Sequence, residues 1–269
     1  MPDRRYPVSQ LNFDAAAAKA LEAIYLTPDV VAQRARVIDL LAPTHGEKIL
    51  DVGAGPGLLA LDLARLVGES GQVVGLDLSP AMAAAATERL AGAPQAEVKI
   101  GDAAALSFPD GAFDAAVSTQ VYEYVFDMPK ALRELRRVLR PGGRVLILDT
   151  DWRSLVWHAS DPARMDRILA CWDGHLADPH LPAKLGPLLR AAGFEVRRTE
   201  IVPMFSPRWQ PASYAGGMIQ SIRSYVRVHG AGYGLDAQEL EAWWADQDAL
   251  IAADAFFFSV NRYAFLATV

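Results

Sequence analysis

Asp51 stands next to the end of the apolar run Ile49-Leu50-Asp51-Val52, which leads directly into Gly53-Ala54-Gly55-Pro56-Gly57, followed by Leu58-Leu59. A turn this rich in glycine lets the backbone reverse and approach a ligand with no Cβ in the way. A helix starting after it points unpaired N–H groups at the same place. Together these features read as a nucleotide-type loop with an acid in front of it. Asp77 follows 26 residues after Asp51, at the end of Gln72-Val73-Val74-Gly75-Leu76-Asp77-Leu78. A carboxylate there accepts hydrogen bonds from both hydroxyls of a ribose. Asp102 closes a third run, placed to accept from the exocyclic amine of adenine, and Met82, just beyond Ser79-Pro80, is placed to lie on the adenine face.

These groups need strands that end side by side. Apolar segments at 48–52, 72–78, 97–100, 113–118 and 144–149 read as strands, and they alternate with helices at 58–67, from Ser79-Pro80 onward, and at 130–140. Continuously apolar strands between helices call for a parallel sheet covered on both faces. Ligands of such sheets bind beyond the carboxyl ends of the strands. Those ends carry Asp51, Asp77, Asp102, Ser118 to Gln120, and Asp149 to Asp151. After residue 150 the spacing predicts helices at 161–177 and 183–192, a strand at 194–202, a long aromatic and glycine-rich insertion at 203–255, and a last strand at 256–269. The last two strands would form an antiparallel edge.

Composition narrows the partners. The chain has 269 residues, 52% apolar, enough for one large α/β domain with lid segments. A net charge of −6 disfavours nucleic acid and anionic membranes, which reward clustered Lys and Arg. No run approaches the roughly 20 apolar residues of a membrane span. Cys171 is the only cysteine, which excludes an internal disulfide and suits a reducing cytoplasm. The sequence allows a homodimer without requiring one.

Four motifs, in order, carry a family resemblance: I-L-D-V-G-A-G-P-G at 49–57, V-V-G-L-D-L-S-P-A-M at 73–82, G-D-A-A-A-L-S-F-P-D-G-A-F-D at 101–114, and L-R-E-L-R-R-V-L-R-P-G-G at 132–143. The chain resembles the class I S-adenosylmethionine-dependent methyltransferases of the small-molecule type that includes the ubiquinone/menaquinone methyltransferases. The resemblance implies a Rossmann-like doubly wound, seven-stranded, mostly parallel sheet of order 3-2-1-4-5-7-6, with strand 7 antiparallel. It implies S-adenosyl-L-methionine as cofactor, with residues 30–150 as the cofactor core, 1–29 as an N-terminal helical cap, and 151–192 and 203–255 around the acceptor. The loop at Gly53, Ala54, Gly55 and Gly57 would bind the methionyl end, Asp77 the ribose, and Asp102 with Ala103 the adenine. Tyr25, Leu78, Thr119 and Gln120 complete the expected cofactor shell. A flavin or NAD enzyme is the rival reading of the glycine turn. Against it, Asp51 would repel a pyrophosphate, and Leu58 stands where the dinucleotide fingerprint has its third glycine.

Methyl transfer asks mainly for alignment, and for a base only when the acceptor must lose a proton. His158 is the first choice, with Tyr122 and Tyr124 beside it and His175 and His180 behind. A catalytic metal is not expected, because catechol-type enzymes need an acid at the end of the fourth strand, where this chain has Ser118-Thr119-Gln120. An arsenic acceptor is opposed by the single cysteine. Tyr122, Tyr124, Phe126, Trp152, Trp157, Met204, Phe205, Trp209, Tyr214, Met218, Tyr225, Tyr233 and Trp243-Trp244 are expected to wall a small, largely apolar or aromatic acceptor, with O- or C-methylation favoured. Gly216-Gly217 and Gly230 to Gly234 would let the insertion move as a lid. N-methylation of an amine stays open, since aromatics also hold cations, as does a non-catalytic S-adenosylmethionine-binding protein.

Overall fold

The computed structural model describes residues 15–269; the first part of the expected cap, residues 1–14, lies outside the described residues. The strands are β1 (Lys48–Val52), β2 (Gln72–Asp77), β3 (Ala96–Ile100), β4 (Phe113–Thr119), β5 (Leu139–Trp157), β6 (Glu195–Ser206) and β7 (Phe258–Thr268). They form one sheet ordered β3-β2-β1-β4-β5-β7-β6. The first five are parallel neighbours, and β7 runs antiparallel between β5 and β6. This is the expected order, and its cause is visible in the strands. Ile49, Leu50, Ala115, Ala116 and Val117 are fully buried, so both faces of the sheet centre need helical cover.

The helices are α1 (Ala15–Tyr25), α2 (Pro28–Leu41), α3 (Leu58–Val67), α4 (Pro80–Leu90), α5 (Met128–Val138), α6 (Pro162–Asp173), α7 (Pro182–Ala191), α8 (Tyr214–His229) and α9 (Ala237–Ala252). Five of them, α2, α4, α5, α6 and α7, open with proline in the first turn, where the missing N–H costs nothing. Ser79, Asp127 and Asp161 add side-chain caps. Thr27 does not cap α2; its hydroxyl donates to Ile24 O at 2.7 Å instead. One face of the sheet is covered by α5 and α7 through Leu132, Leu135, Leu185 and Leu189, the other by α2 and α3 through Val37, Leu41, Leu63 and Val67.

Two features depart from the sequence expectation. β5 does not stop at Asp149 but continues to Trp157, because β7 supplies a partner that far: Val156 pairs with Ser259 and Trp157 with Phe258, past a register shift after Asp151. The late insertion forms two helices, α8 and α9, packed with α6 on the overhanging sheet. Gly216 and Gly217 lie inside α8, where they permit close approach. A Cβ on Gly216 would stand 2.5 Å from Pro211 O, and one on Gly217 would strike Ile24 of α1. Much of the expected acceptor wall is therefore core. Trp157 stacks edge-on against Trp243 and Phe258 at 5.7 and 5.5 Å, and its indole donates to Gln247 at 2.9 Å. Met204, Met218 and Tyr225 are buried in the same cluster, while Phe126 and Phe205 face solvent.

Candidate functional site: a cofactor cleft and a tyrosine chamber

Between β1 and α3 the chain takes positive φ at Gly53 (+74°), Gly55 (+53°) and Gly57 (+79°). Only glycine accepts this sequence of angles without strain. A Cβ on Gly53 would also collide with Val121. The turn's N–H groups are consumed within the protein. Gly53 and Ala54 donate to Leu76 O at 2.7 and 3.0 Å, Gly57 donates to Ala54 O at 3.0 Å, and Gly55 donates to Asp77 at 2.8 Å. These four N–H groups are therefore not free for a ligand, and the spare donors expected here are those of the first turn of α3. What the turn offers is negative. Asp51 is 1% exposed and its Oδ2 has no partner. Burial, reinforced by the charge of Asp77, pushes its carboxyl up to about 7. A buried, unpartnered carboxyl beside a turn without spare donors suits a cation and opposes a pyrophosphate.

Asp77 sits at the carboxyl end of β2. It accepts from the N–H of Gly55 and, at 2.9 Å, of Ser79. A carboxylate offers about four lone-pair sites, so capacity for ribose hydroxyls remains. Beyond it, Leu78 (56% exposed) and Ile100 (61%) form an apolar rim on neighbouring strand ends. Met82 is buried in the first turn of α4, and Ala103 is buried beside Asp102. Asp102 is exposed, with Oδ1 taken by the Ala104 N–H at 2.8 Å. The cleft is lined by Tyr25, Val30, Gln33, Arg34, the glycine turn, Leu58, Leu59, Thr119 and Gln120. Tyr25 closes it from above, at the end of α1, its ring 3.8 Å from where a Cβ of Gly55 would stand. Arg89 of α4 fixes this arrangement by donating to Pro56 O at 2.7 Å and pairing with Glu22 of α1.

At the other end of the cleft, Gln120 adopts φ +58°, which is costly for a residue with a side chain. Its N–H to Leu148 O (2.7 Å) and its amide to Thr150 Oγ1 (2.9 Å) hold it there. Behind Gln33 and Gln120 lies a buried polar cluster that sequence reasoning missed in part. Arg262 of β7 is 1% exposed; it donates to Gln33, its guanidinium lies 4.4 Å over the Tyr214 ring, and its Nε has no partner. Glu123 and Asp149 are its buried counter-charges. Burial raises Glu123 to about 7, against the attraction of Arg262, the Thr150 N–H and the Trp152 indole. Burial and the charge of Glu123 raise Asp149 well above the carboxylate range. Burial and the mutual repulsion of these two carboxyls favour a protonated form of the pair. Tyr25, Tyr124 and Tyr214 crowd the same space, all with phenols held above their ordinary range by burial. Asp29 of α2 positions Tyr214 by accepting the N–H that opens α8, at 2.8 Å.

The expected bases separate in space. Tyr122 is fully buried in the core under α5, its hydroxyl without a partner. Tyr124 belongs to the buried cluster with Tyr25, Tyr214, Glu123 and Asp149. His158 is exposed at the far end of β5, its Nδ1 against Ala255 O at 2.8 Å, and does not line the cleft. The overrun of β5 carries it away. His180 pairs with Asp151 at 2.5 Å, and His175 packs under Trp172, 5.7 Å from the Tyr124 ring. Arg262 had a signal in the sequence: it is the one charged residue between Phe256 and Val269.

The pattern of a methyltransferase domain matches residues 50–147, which hold the strand ends of this cleft from β1 to β4. A 2-phytyl-1,4-naphtoquinone methyltransferase of Thermosynechococcus vestitus is 36% identical over 176 residues, 59% of this chain and 76% of that protein. A 37.1 kDa protein in transposon TN4556 of Streptomyces fradiae is 33% identical over 254 residues, 92% of this chain and 70% of that one. With other quinone methyltransferases the chain spans about half of their length, as with the Synechococcus elongatus enzyme (46% identical; 40% of this chain, 48% of that one). Among solved structures, the [4+2]-cyclase SpnF superposes with a TM-score of 0.61 at 27% identity, covering 89% of this chain and 81% of that one. The sheet order, the cation-suited glycine turn and these relatives agree: the chain belongs to the class I S-adenosylmethionine-dependent methyltransferases.

Proposed function

We propose that this chain transfers a methyl group from S-adenosyl-L-methionine to a small, planar, largely apolar acceptor of the quinone or phenol type, at oxygen or carbon. The observation that carries the reading is a cleft at the glycine turn with Asp51 buried and unpartnered, backed by a buried cluster of Arg262, Tyr124 and Tyr214 behind Gln33 and Gln120. Asp51 and the turn would hold the methionyl end, Asp77 the ribose, and the rim of Leu78, Met82, Asp102 and Ala103 the adenine. When bound, the cofactor supplies a methyl group already activated on a sulfonium. Tyr25, Thr119 and Gln120 line the same cleft as the glycine turn and would orient the acceptor and exclude water. The naming of several relatives as naphthoquinone methyltransferases favours a quinone-like ring. An amine is disfavoured because Arg262 places a cation directly behind Gln33 of the cleft.

A second reading has one support, the likeness to a [4+2]-cyclase, since one fold hosts many chemistries. Incubation with S-adenosyl-L-methionine and a panel of phenols, hydroxyquinones, amines and linear polyenes separates the two. Stoichiometric S-adenosylhomocysteine with a product heavier by one methylene supports transfer. Product without S-adenosylhomocysteine supports cyclisation.

A further inference from the structure

We propose that Arg262 and Glu123 form the acceptor-oxygen subsite: Arg262 Nε binds the oxygen of an acidic phenol- or enol-type hydroxyl, and Glu123 takes its proton. The proposal rests on the methyltransferase reading of the cleft and names the acceptor class for it. Buried charged groups normally have their donors and acceptors satisfied. Here the Arg262 Nε and the Asp149 Oδ2 are both buried without a partner. The subsite lies one side chain behind the cleft, because Gln33 and Gln120 line the cleft while Gln33 accepts from Arg262. The Tyr214 ring under the guanidinium, with Tyr25 and Tyr124, makes walls suited to a flat ring.

The groups facing Arg262 come from every element around it: Tyr25 of α1, Gln33 of α2, Glu123 and Tyr124 of the turn after β4, Asp149 of β5 and Tyr214 of α8. Only Arg262 among them is cationic. In the proposed step the O–H bond breaks, its electron pair stays on the oxygen beside Arg262, and the proton converts the Glu123 carboxylate to the acid.

The test uses the full chain loaded with S-adenosylhomocysteine and 4-nitrophenol, whose ionisation is read by its coloured anion. Bound 4-nitrophenol should ionise at least about one pH unit below the free phenol, as expected beside an opposite charge. Arg262→Gln should abolish the shift, and Glu123→Gln should enlarge it by removing a negative neighbour. Calorimetric binding of S-adenosylhomocysteine reports that each variant is folded. Absence of phenol binding, an unshifted titration, or both variants moving it the same way overturns the assignment while leaving the cofactor reading intact. Failure of the wild-type chain to bind S-adenosylhomocysteine overturns the cofactor reading, and this one with it.

Discussion

Asp51 is the residue on which cofactor recognition turns. Its carboxyl is raised to about 7, so the ligand-free protein keeps it protonated in mild acid. A cationic ligand group favours the ionised form, so binding must expel that proton below the raised value. Affinity for S-adenosylhomocysteine should therefore rise between about pH 5.5 and pH 7 and then level off, a window in which the ligand amine stays protonated. Asp51→Asn should bind more weakly with a flattened profile; calorimetry across pH checks both. Asp77→Ala should weaken binding by about 10- to 100-fold, the range for hydrogen bonds to a charged group. Asp51, Asp77, Asp102 and the glycine turn were legible in the sequence because strand ends fix where such residues lie. Arg262 and Glu123 were not, because their meeting depends on β7 inserting beside β5, a pairing between residues 112 positions apart for Arg262 and Thr150.

Elements set the precision of the site. Gly53 sits where β1 leaves the sheet, against Val121 from the turn after β4. Gly53→Ala should cost about 1–2 kcal/mol for the left-handed backbone alone, and more for the collision. Gly53→Ala with Val121→Ala should recover the collision part and leave the backbone part, read by denaturant unfolding. On the overhanging sheet, Gln247 of α9 satisfies the buried Trp157 indole. Gln247→Leu should destabilise by about 1–3 kcal/mol by leaving that N–H unpaired, with S-adenosylhomocysteine affinity unchanged. The five parallel strands were readable as apolar runs between capped helices. The length of β5 was not, since a strand persists as long as a partner pairs with it, and its partner lies a hundred residues further along the chain. That overrun, rather than any local signal, separates His158 from the cleft. The aromatic insertion misled in a related way: the same residue types build a core or an acceptor wall, and only the packing of α8 and α9 decides which.

At the scale of the whole molecule, buried acids shape stability. Asp51 and Glu123 are raised to about 7, Asp173 to about 6, and Asp77 and Asp149 are also raised. Between the unfolded and folded values the native state holds more protons, so these groups lose stability as pH rises from about 4 to 7. His175, lowered to about 4, opposes this by losing stability as pH falls from 6.5 toward 4, but it is one group against several. Carboxyls lowered by arginine partners, Glu47 and Glu134 among them, lose their contribution only at more acidic pH. The ligand-free protein should therefore melt at a higher temperature near pH 6 than near pH 8. S-adenosylhomocysteine should narrow that gap by compensating Asp51, a comparison accessible to scanning calorimetry. Among the described residues no helix is long and apolar enough to cross a membrane. The most direct measurement of the central claim is isothermal titration of the chain with S-adenosylhomocysteine at neutral pH, in parallel with Asp77→Ala. The cleft predicts one saturable site in the wild type and a loss of at least about tenfold in the variant. No binding to the wild type, or equal binding to both, would contradict it.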